Sequence, residues 1–153
     1  MIPLASTSLV VWNIHCDGSA IPNPGSMGIG VILIDPAGNC HTLSQVTKKK
    51  GCNNEAELRA LIAALHEAKR RGATALQIFS DSSVVVVQLV SLPVKPIARL
   101  ADLFDEARAL LQTFQHIDLR WIPRHRNGKA DALARAALGV IAPRPVVTSS
   151  RNK

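Results

Sequence analysis

Hydrophobic and polar positions alternate along the first third of the chain. Between Leu9 and Asp17, Trp12, Ile14 and Cys16 share one face while Asn13, His15 and Asp17 share the other, the period of two that defines a β-strand. Asp17 is expected at the exit of that strand, before the loop GSAIPNPG. MGIGVILID is a second apolar run, DPAGN at Asp35 to Asn39 is turn chemistry, and CHTLSQV is a third strand. Short turns between the three predict an antiparallel meander. The period then changes: in GCNNEAELRALIAALHEAKRRG, Leu58, Leu61, Ile62 and Leu65 recur at helical spacing, and Lys69, Arg70, Arg71 and Gly72 supply a C-terminal stop. ALQIFSD, from Ala75, is the short apolar run of a buried parallel strand, and it too ends in an acid, Asp81. SSVVVVQLV is divided, because four valines favour strand while Asp-Ser-Ser is a good helix start. KPIARLADLFDEARALLQTF predicts a helix with Leu100, Leu103, Phe104, Ala107 and Leu111 on one side and Pro96 near its start. IDLRWI alternates as a last strand, PRHRNGK is a loop, and ADALARAAL is a helix closed by Gly139. Trp12 and Trp121 fall within strands and are expected in the core.

Composition bounds what this pattern can build. With 153 residues, 47% of them hydrophobic and 19% charged, the chain fits one compact domain, expected over residues 1–141, with a flexible Pro-rich tail over 142–153. A formal charge of +7 favours polyanionic partners such as nucleic acid. Cys16, Cys40 and Cys52 form an odd set without a C-x-x-C pair, which argues against a disulfide framework or a zinc site. A reducing compartment and a cytoplasmic location are therefore expected, with no apolar run near the ~18 residues of a membrane span.

Four acids stand out by position: Asp17 after the first strand, Glu57 in the first turn of the main helix, Asp81 after the buried strand, and Asp131 opening the last helix. Each has a local explanation. Glu57 lies three residues after Asn54, the spacing of a capping interaction; Asp81 can cap the next helix; Asp131 can pair with Arg135; Asp17 can be a turn residue. Together they are harder to dismiss, because strand and helix ends of an α/β sheet converge on one edge, the usual ligand site. Converging carboxylates repel unless cations hold them, and paired magnesium ions about 4 Å apart are suited to phosphodiester hydrolysis.

Taken in order, DGSAIPNPG, NNEAELRALIAAL, FSDSS and PRHRNGKADALARAAL strongly resemble type 1 ribonuclease H, from about Val10 to Gly139. The resemblance implies the ribonuclease H-like α/β fold: a five-stranded mixed sheet, three antiparallel strands plus two parallel, flanked by helices in the order βββαβααβα. It turns the valine run into a helix. It also implies that Asp17, Glu57, Asp81 and Asp131 bind two Mg2+ ions, for which Mn2+ can substitute, and that the RNA strand of an RNA/DNA hybrid is cut to leave 3'-hydroxyl and 5'-phosphate ends. Asn23, Asn53 and Asn54 match the family's hybrid-reading positions. His125 matches a histidine that assists proton transfer or product release, with Arg124 as the alternative, and Ser83 and Arg124 join the substrate-binding set. Cys52 replaces a threonine that in many relatives helps hold a DNA phosphate, and Ser83 stands where some carry glutamine. Between Ser91 and Leu100 the chain is too short for the Lys- and Trp-rich protrusion of some relatives. The resemblance implies an RNA/DNA hybrid as partner, no membrane, and a monomer. Two alternatives stand beside it: a DNA-directed nuclease of the same fold, and a module that binds nucleic acid without cutting it.

Overall fold

The computed structural model describes residues 9–91 and 95–140, so the expected tail at 142–153 lies outside the described residues. Five strands form one sheet in the order β3-β2-β1-β4-β5. β1 (Val11–Ile21), β2 (Gly25–Ile34) and β3 (Cys40–Gly51) pair antiparallel, and β4 (Ala75–Ser80) and β5 (His116–Trp121) add parallel. The helices are α1 (Asn53–Arg70), α2 (Ser83–Val90), α3 (Ala101–Leu111) and α4 (Gly128–Ala137), which completes the expected βββαβααβα order.

Helix α1 packs along β1 and β2 and meets α2 and α3, while α4 lies over β1, β2 and β3. The main core sits under α1, where Ile14, Val31, Leu33, Leu58, Leu61, Leu65, Leu76 and Ile78 are fully buried. α1 stops as its sequence predicts: Arg71 closes it and Gly72 turns away with a φ of +85°, a conformation that glycine adopts without strain. The Asp35 turn is likewise local chemistry, since its Oδ1 accepts from the amides of Ala37 and Asn39. β3 is an edge strand whose exposed Lys48, Lys49 and Lys50 discourage pairing with another chain.

Four expectations need correction. β1 does not end at Asp17; it runs four residues further because β2 continues to pair with it, from Asp17↔Gly30 to Ile21↔Ser26. α1 begins at Asn53 behind Cys52, with no side-chain cap, so Asn54 is inside the helix and the first-turn acid is Glu55, bonded to Arg59 at 2.8 Å; Glu57 is one turn further in. Asp81 is not the cap of α2: the Ser82 hydroxyl accepts from the Val85 amide at 3.2 Å. Trp121 is not core but 52% exposed, because β5 is the other edge of the sheet; Trp12 is half-buried and stacks on His41.

The valine run is helical despite its propensity, as the resemblance implies, because burying Val85 and Val86 against the core outweighs a modest intrinsic preference. A short helix of β-branched residues leans on its cap. Ser82→Ala is therefore expected to cost about 1 kcal/mol in urea denaturation.

Candidate active site

The parallel ladder between β1 and β4 runs from Val11↔Ala75 to Cys16↔Ser80 and stops. Asp17 and Asp81 are the next residue on each strand, so two carboxylates leave side by side from the carboxyl end of the parallel pair, where open α/β sheets take their ligands. β1 then continues beside β2 alone, and the sheet forks at the site.

The remaining acids arrive on helices from opposite faces. Side chains alternate along a strand and cross-strand partners share a face, so Gly18 and Ile29 face one way while Asp17 and Gly30 face the other. α1 presses on Gly18 so closely that a Cβ there would lie 2.0 Å from the Ala56 carbonyl oxygen. The Gly18 amide donates to Glu57 Oε1 at 2.9 Å, which fixes that carboxylate at the fork. α4 does the same on the other face, where a Cβ on Gly30 would lie 2.3 Å from the Ala130 oxygen, and Asp131 follows Ala130 in the first turn.

One oxygen each from Asp17, Glu57 and Asp81 lie within 4.8 Å of one another. Asp17 is buried, and its carboxyl is pushed up to about 8, first by burial and then by the charges of Asp81 and Asp131, against an opposing hydrogen bond with Glu57. The Glu57 carboxyl is driven well above its ordinary range by burial and by Asp17, the Gly18 amide pulling the other way. Such crowding disfavours charge unless a cation compensates it. The Cys16 thiol beneath is pushed up by burial and by Glu57, Asp17 and Asp81, so it stays protonated and offers no soft ligand. Carboxylate oxygens without nitrogen or sulfur suit hard divalent cations of the magnesium and manganese type.

A cleft of about 340 Å³ opens over these groups, lined by Asp17, Glu57, Asp81 and Asp131 together with Asn53, Asn54, Ser83 and Arg124. All four acids expected from the sequence therefore meet. Asn23 does not line the cleft; its Oδ1 accepts the Asn53 amide at 3.0 Å and so buttresses the start of α1. The Asn53 side chain ties that start to β1 through a 2.8 Å bond from the Ala20 amide to its Oδ1. His125 is also outside the cleft. It is exposed on a single helical turn, Arg124–Arg126, and lines a groove beside α4, so Arg124 is the member of that pair at the acids. At the start of α1, Arg99 donates to Cys52 Sγ at 3.2 Å. Burial raises the Cys52 thiol, but the Glu55 amide and Arg99 outweigh it and leave the thiol below its ordinary range.

Two neighbours of Asp81 were not marked as site residues by the sequence pattern. Trp121 Nε1 donates to the Asp81 carbonyl at 3.1 Å, and the Asn127 side chain donates to its Oδ2 at 3.0 Å. Trp121 reads as an ordinary strand residue and Asn127 as half of an Asn-Gly turn.

The reverse transcriptase-like family matches residues 15–137. A protein of Mycobacterium tuberculosis named as bifunctional is 36% identical over 131 residues, which is 84% of this chain and 36% of that protein. Ribonuclease HI of Halobacterium salinarum is 34% identical over 124 residues, 81% of this chain and 62% of that protein. The chain thus spans about a third of the mycobacterial relative's length and less than two thirds of the haloarchaeal one. Among solved structures, ribonuclease H1 of Halobacterium salinarum superposes with a TM-score of 0.79 at 32% identity, covering 84% of this chain and 98% of that one. The N-terminal ribonuclease H domain of the Mycobacterium tuberculosis protein gives 0.76 at 35% identity, covering 86% and 96%. LC11 ribonuclease H1, solved in complex with an RNA/DNA hybrid, gives 0.74 at 30% identity, covering 84% and 96%.

Proposed function

The chain belongs to the reverse transcriptase-like family and has the ribonuclease H fold, and from that premise we propose that it is an endoribonuclease that hydrolyses the RNA strand of RNA/DNA hybrids. The observation that carries this is the convergence of Asp17, Glu57 and Asp81 within 4.8 Å at the sheet fork, with Asp131 in the same cleft. A likeness to a ribonuclease H1 that was solved on an RNA/DNA hybrid supports the substrate. The activity is assigned to one domain, residues 1–141, acting as a monomer. Among the described residues no helix is long and apolar enough to cross a membrane.

The four carboxylates are assigned to hold two Mg2+ ions, or Mn2+ in their place. Such cations supply, when bound, an activated water for in-line attack and charge neutralisation at the leaving oxygen, giving 3'-hydroxyl and 5'-phosphate ends. The buried Asp17 would hold the cations together with Glu57, Asp81 and Asp131, which reach the cleft from three other parts of the chain. The protein's own part is to keep these oxygens fixed, so that no reorganisation is needed at the moment of reaction.

Substrate choice falls to the cleft walls. A hybrid presents 2'-hydroxyls on only one strand of a wide, shallow minor groove, so a reader must touch both strands. Asn54 and Asn53 line the cleft, and since the Asn53 Oδ1 is engaged by the Ala20 amide, its Nδ2 is the group it offers a 2'-hydroxyl. Asn23 contributes by supporting Asn53, and Ser83 and Arg124 offer a hydroxyl and a positive charge to the backbone. His125 is assigned to proton transfer or product release only if its turn moves, since it lines the neighbouring groove and not the cleft. Because Asn54 is not the cap of α1, Asn54→Ala is expected to raise KM for hybrid about tenfold, with stability unchanged to within about 0.5 kcal/mol.

The decisive test is an end-labelled RNA strand presented as RNA/DNA hybrid, as duplex RNA and as single strand, with magnesium, manganese or a chelator. Cutting of the hybrid alone, only with metal and with 5'-phosphate products, is the expected result. Cleavage of duplex DNA in a parallel lane selects the DNA-directed alternative, and binding without cutting under every condition selects the binding module.

A further inference from the structure

Asn127 stands just before α4, is 1% exposed, and spends both donors of its side-chain amide at the site. Nδ2 donates to the Cys16 carbonyl at 2.9 Å and to Asp81 Oδ2 at 3.0 Å. Its backbone carbonyl accepts from the Asp131 amide at 3.1 Å. One residue is thereby bonded to the last residue of β1 that pairs with β4, to the carboxylate that follows β4, and to the turn of α4 that carries Asp131. Its Oδ1, by contrast, is buried with no hydrogen-bond partner.

That imbalance is informative. A buried acceptor without a partner costs its desolvation, and the amide cannot flip to relieve it without turning Oδ1 toward a carbonyl and a carboxylate, both acceptors. Helix α4 does not require the side chain, which makes no capping bond to it. An apolar residue of similar volume fills the same space with no orphaned oxygen. What only an amide supplies here is a pair of donors aimed at Cys16 and Asp81.

We infer that Asn127 is a positioning residue, which clamps Asp81 to β1 at Cys16 and anchors the first turn of α4, so that Asp17, Asp81 and Asp131 are in place before a divalent cation arrives. This rests on the proposed metal site. Holding Asp81 by Oδ2 fixes the plane of the carboxylate and leaves Oδ1 for a cation, the arrangement by which outer groups orient metal ligands.

The test measures Mn2+ binding by titration calorimetry on chelator-stripped protein without nucleic acid, beside kcat and KM for hybrid at saturating magnesium. Asn127→Ala, and Asn127→Asp, which keeps the shape but removes the donors, are expected to weaken manganese binding by about 10–100-fold and to lower kcat to a similar degree. KM for the hybrid is expected to stay within about twofold, because Asn127 does not line the cleft. Asn127→Ser, whose hydroxyl keeps one donor, is expected to recover part of the affinity, which a loss of packing alone does not predict. If Asn127→Ala fails to fold, the Asp and Ser variants decide. Folded variants that melt earlier yet bind manganese as tightly as the parent protein overturn the inference. A parent protein that neither binds manganese nor cuts hybrid overturns the metal-site assignment itself.

Discussion

Asp17→Asn is expected to lower hybrid cleavage by at least about a thousandfold while making the metal-free protein more stable at neutral pH. The first effect follows from position. Asp17 is buried, with Glu57 and Asp81 oxygens within 4.8 Å, and an amide brings no charge to hold a cation there. The second follows from linkage. The Asp17 carboxyl is raised from 3.8 in the unfolded chain to about 8 in the fold, so the folded protein binds this proton more tightly. Its contribution to stability is fully present below about pH 4 and is lost as pH rises toward 8, by at most about 1.4 kcal/mol per pH unit. Glu57, also raised, acts in the same direction. Urea denaturation between pH 4 and 8 with chelator should show the parent protein weakening and the variant weakening less. Magnesium should reverse the decline for the parent alone, with tighter binding at higher pH because the cation must displace protons. A variant that cuts hybrid normally removes Asp17 from the metal site.

Gly18→Ala is expected to destabilise the fold by about 3 kcal/mol or more and to take metal binding with it. The added Cβ would stand 2.0 Å from the Ala56 oxygen, 2.1 Å from its carbon and 2.5 Å from the Glu57 nitrogen, all backbone atoms. No rotamer change relieves this; α1 must back away from β1. The same displacement breaks the 2.9 Å bond from the Gly18 amide to Glu57, so stability and the acid cluster fail together. Gly128→Ala is the matched control. It meets nothing within 4 Å in the first turn of α4, and helix propensity predicts a gain of up to about 1 kcal/mol. Denaturation midpoints for both variants, with manganese titration of the folded fraction, check the pair.

The sequence and the structure agree most where one residue carries its own reason. Leu58, Leu61 and Leu65 announce α1 by spacing, Gly72 and Gly139 announce helix ends by conformation, and DPAGN announces its turn by the Asp35 side chain. The four acids are legible as a set because the local pattern puts each near the end of an element, although in the fold Asp17 lies inside β1 and Glu57 a turn into α1. Where a property depends on a partner far along the chain, the local pattern misleads. The length of β1 past Asp17 is decided by β2, the helicity of the valines by the core they enter, and the exposure of Trp121 by the place of β5 at the edge of the sheet among the described residues. The local pattern misplaces the start of α1 by two residues because Asn54 has the right chemistry for a cap and Cys52, which occupies that place, does not. Asn127 shows the same in reverse. Its composition signals a turn, and only the fold reveals that its amide is turned inward onto Cys16 and Asp81.

The two helices that deliver Glu57 and Asp131 press on opposite faces of the fork, and they are made at very different times. β1, β2 and α1 come early in the chain, whereas α4 is the last helix of the described residues. Until α4 has been synthesised, the close seat formed by Gly28 and Gly30 has no helix on it and the cluster lacks its fourth wall. A chain still being translated carries three of the acids without the element that closes them in. The order of elements thus makes the cleft a late product of the chain, complete only once the last described helix has docked on β1, β2 and β3.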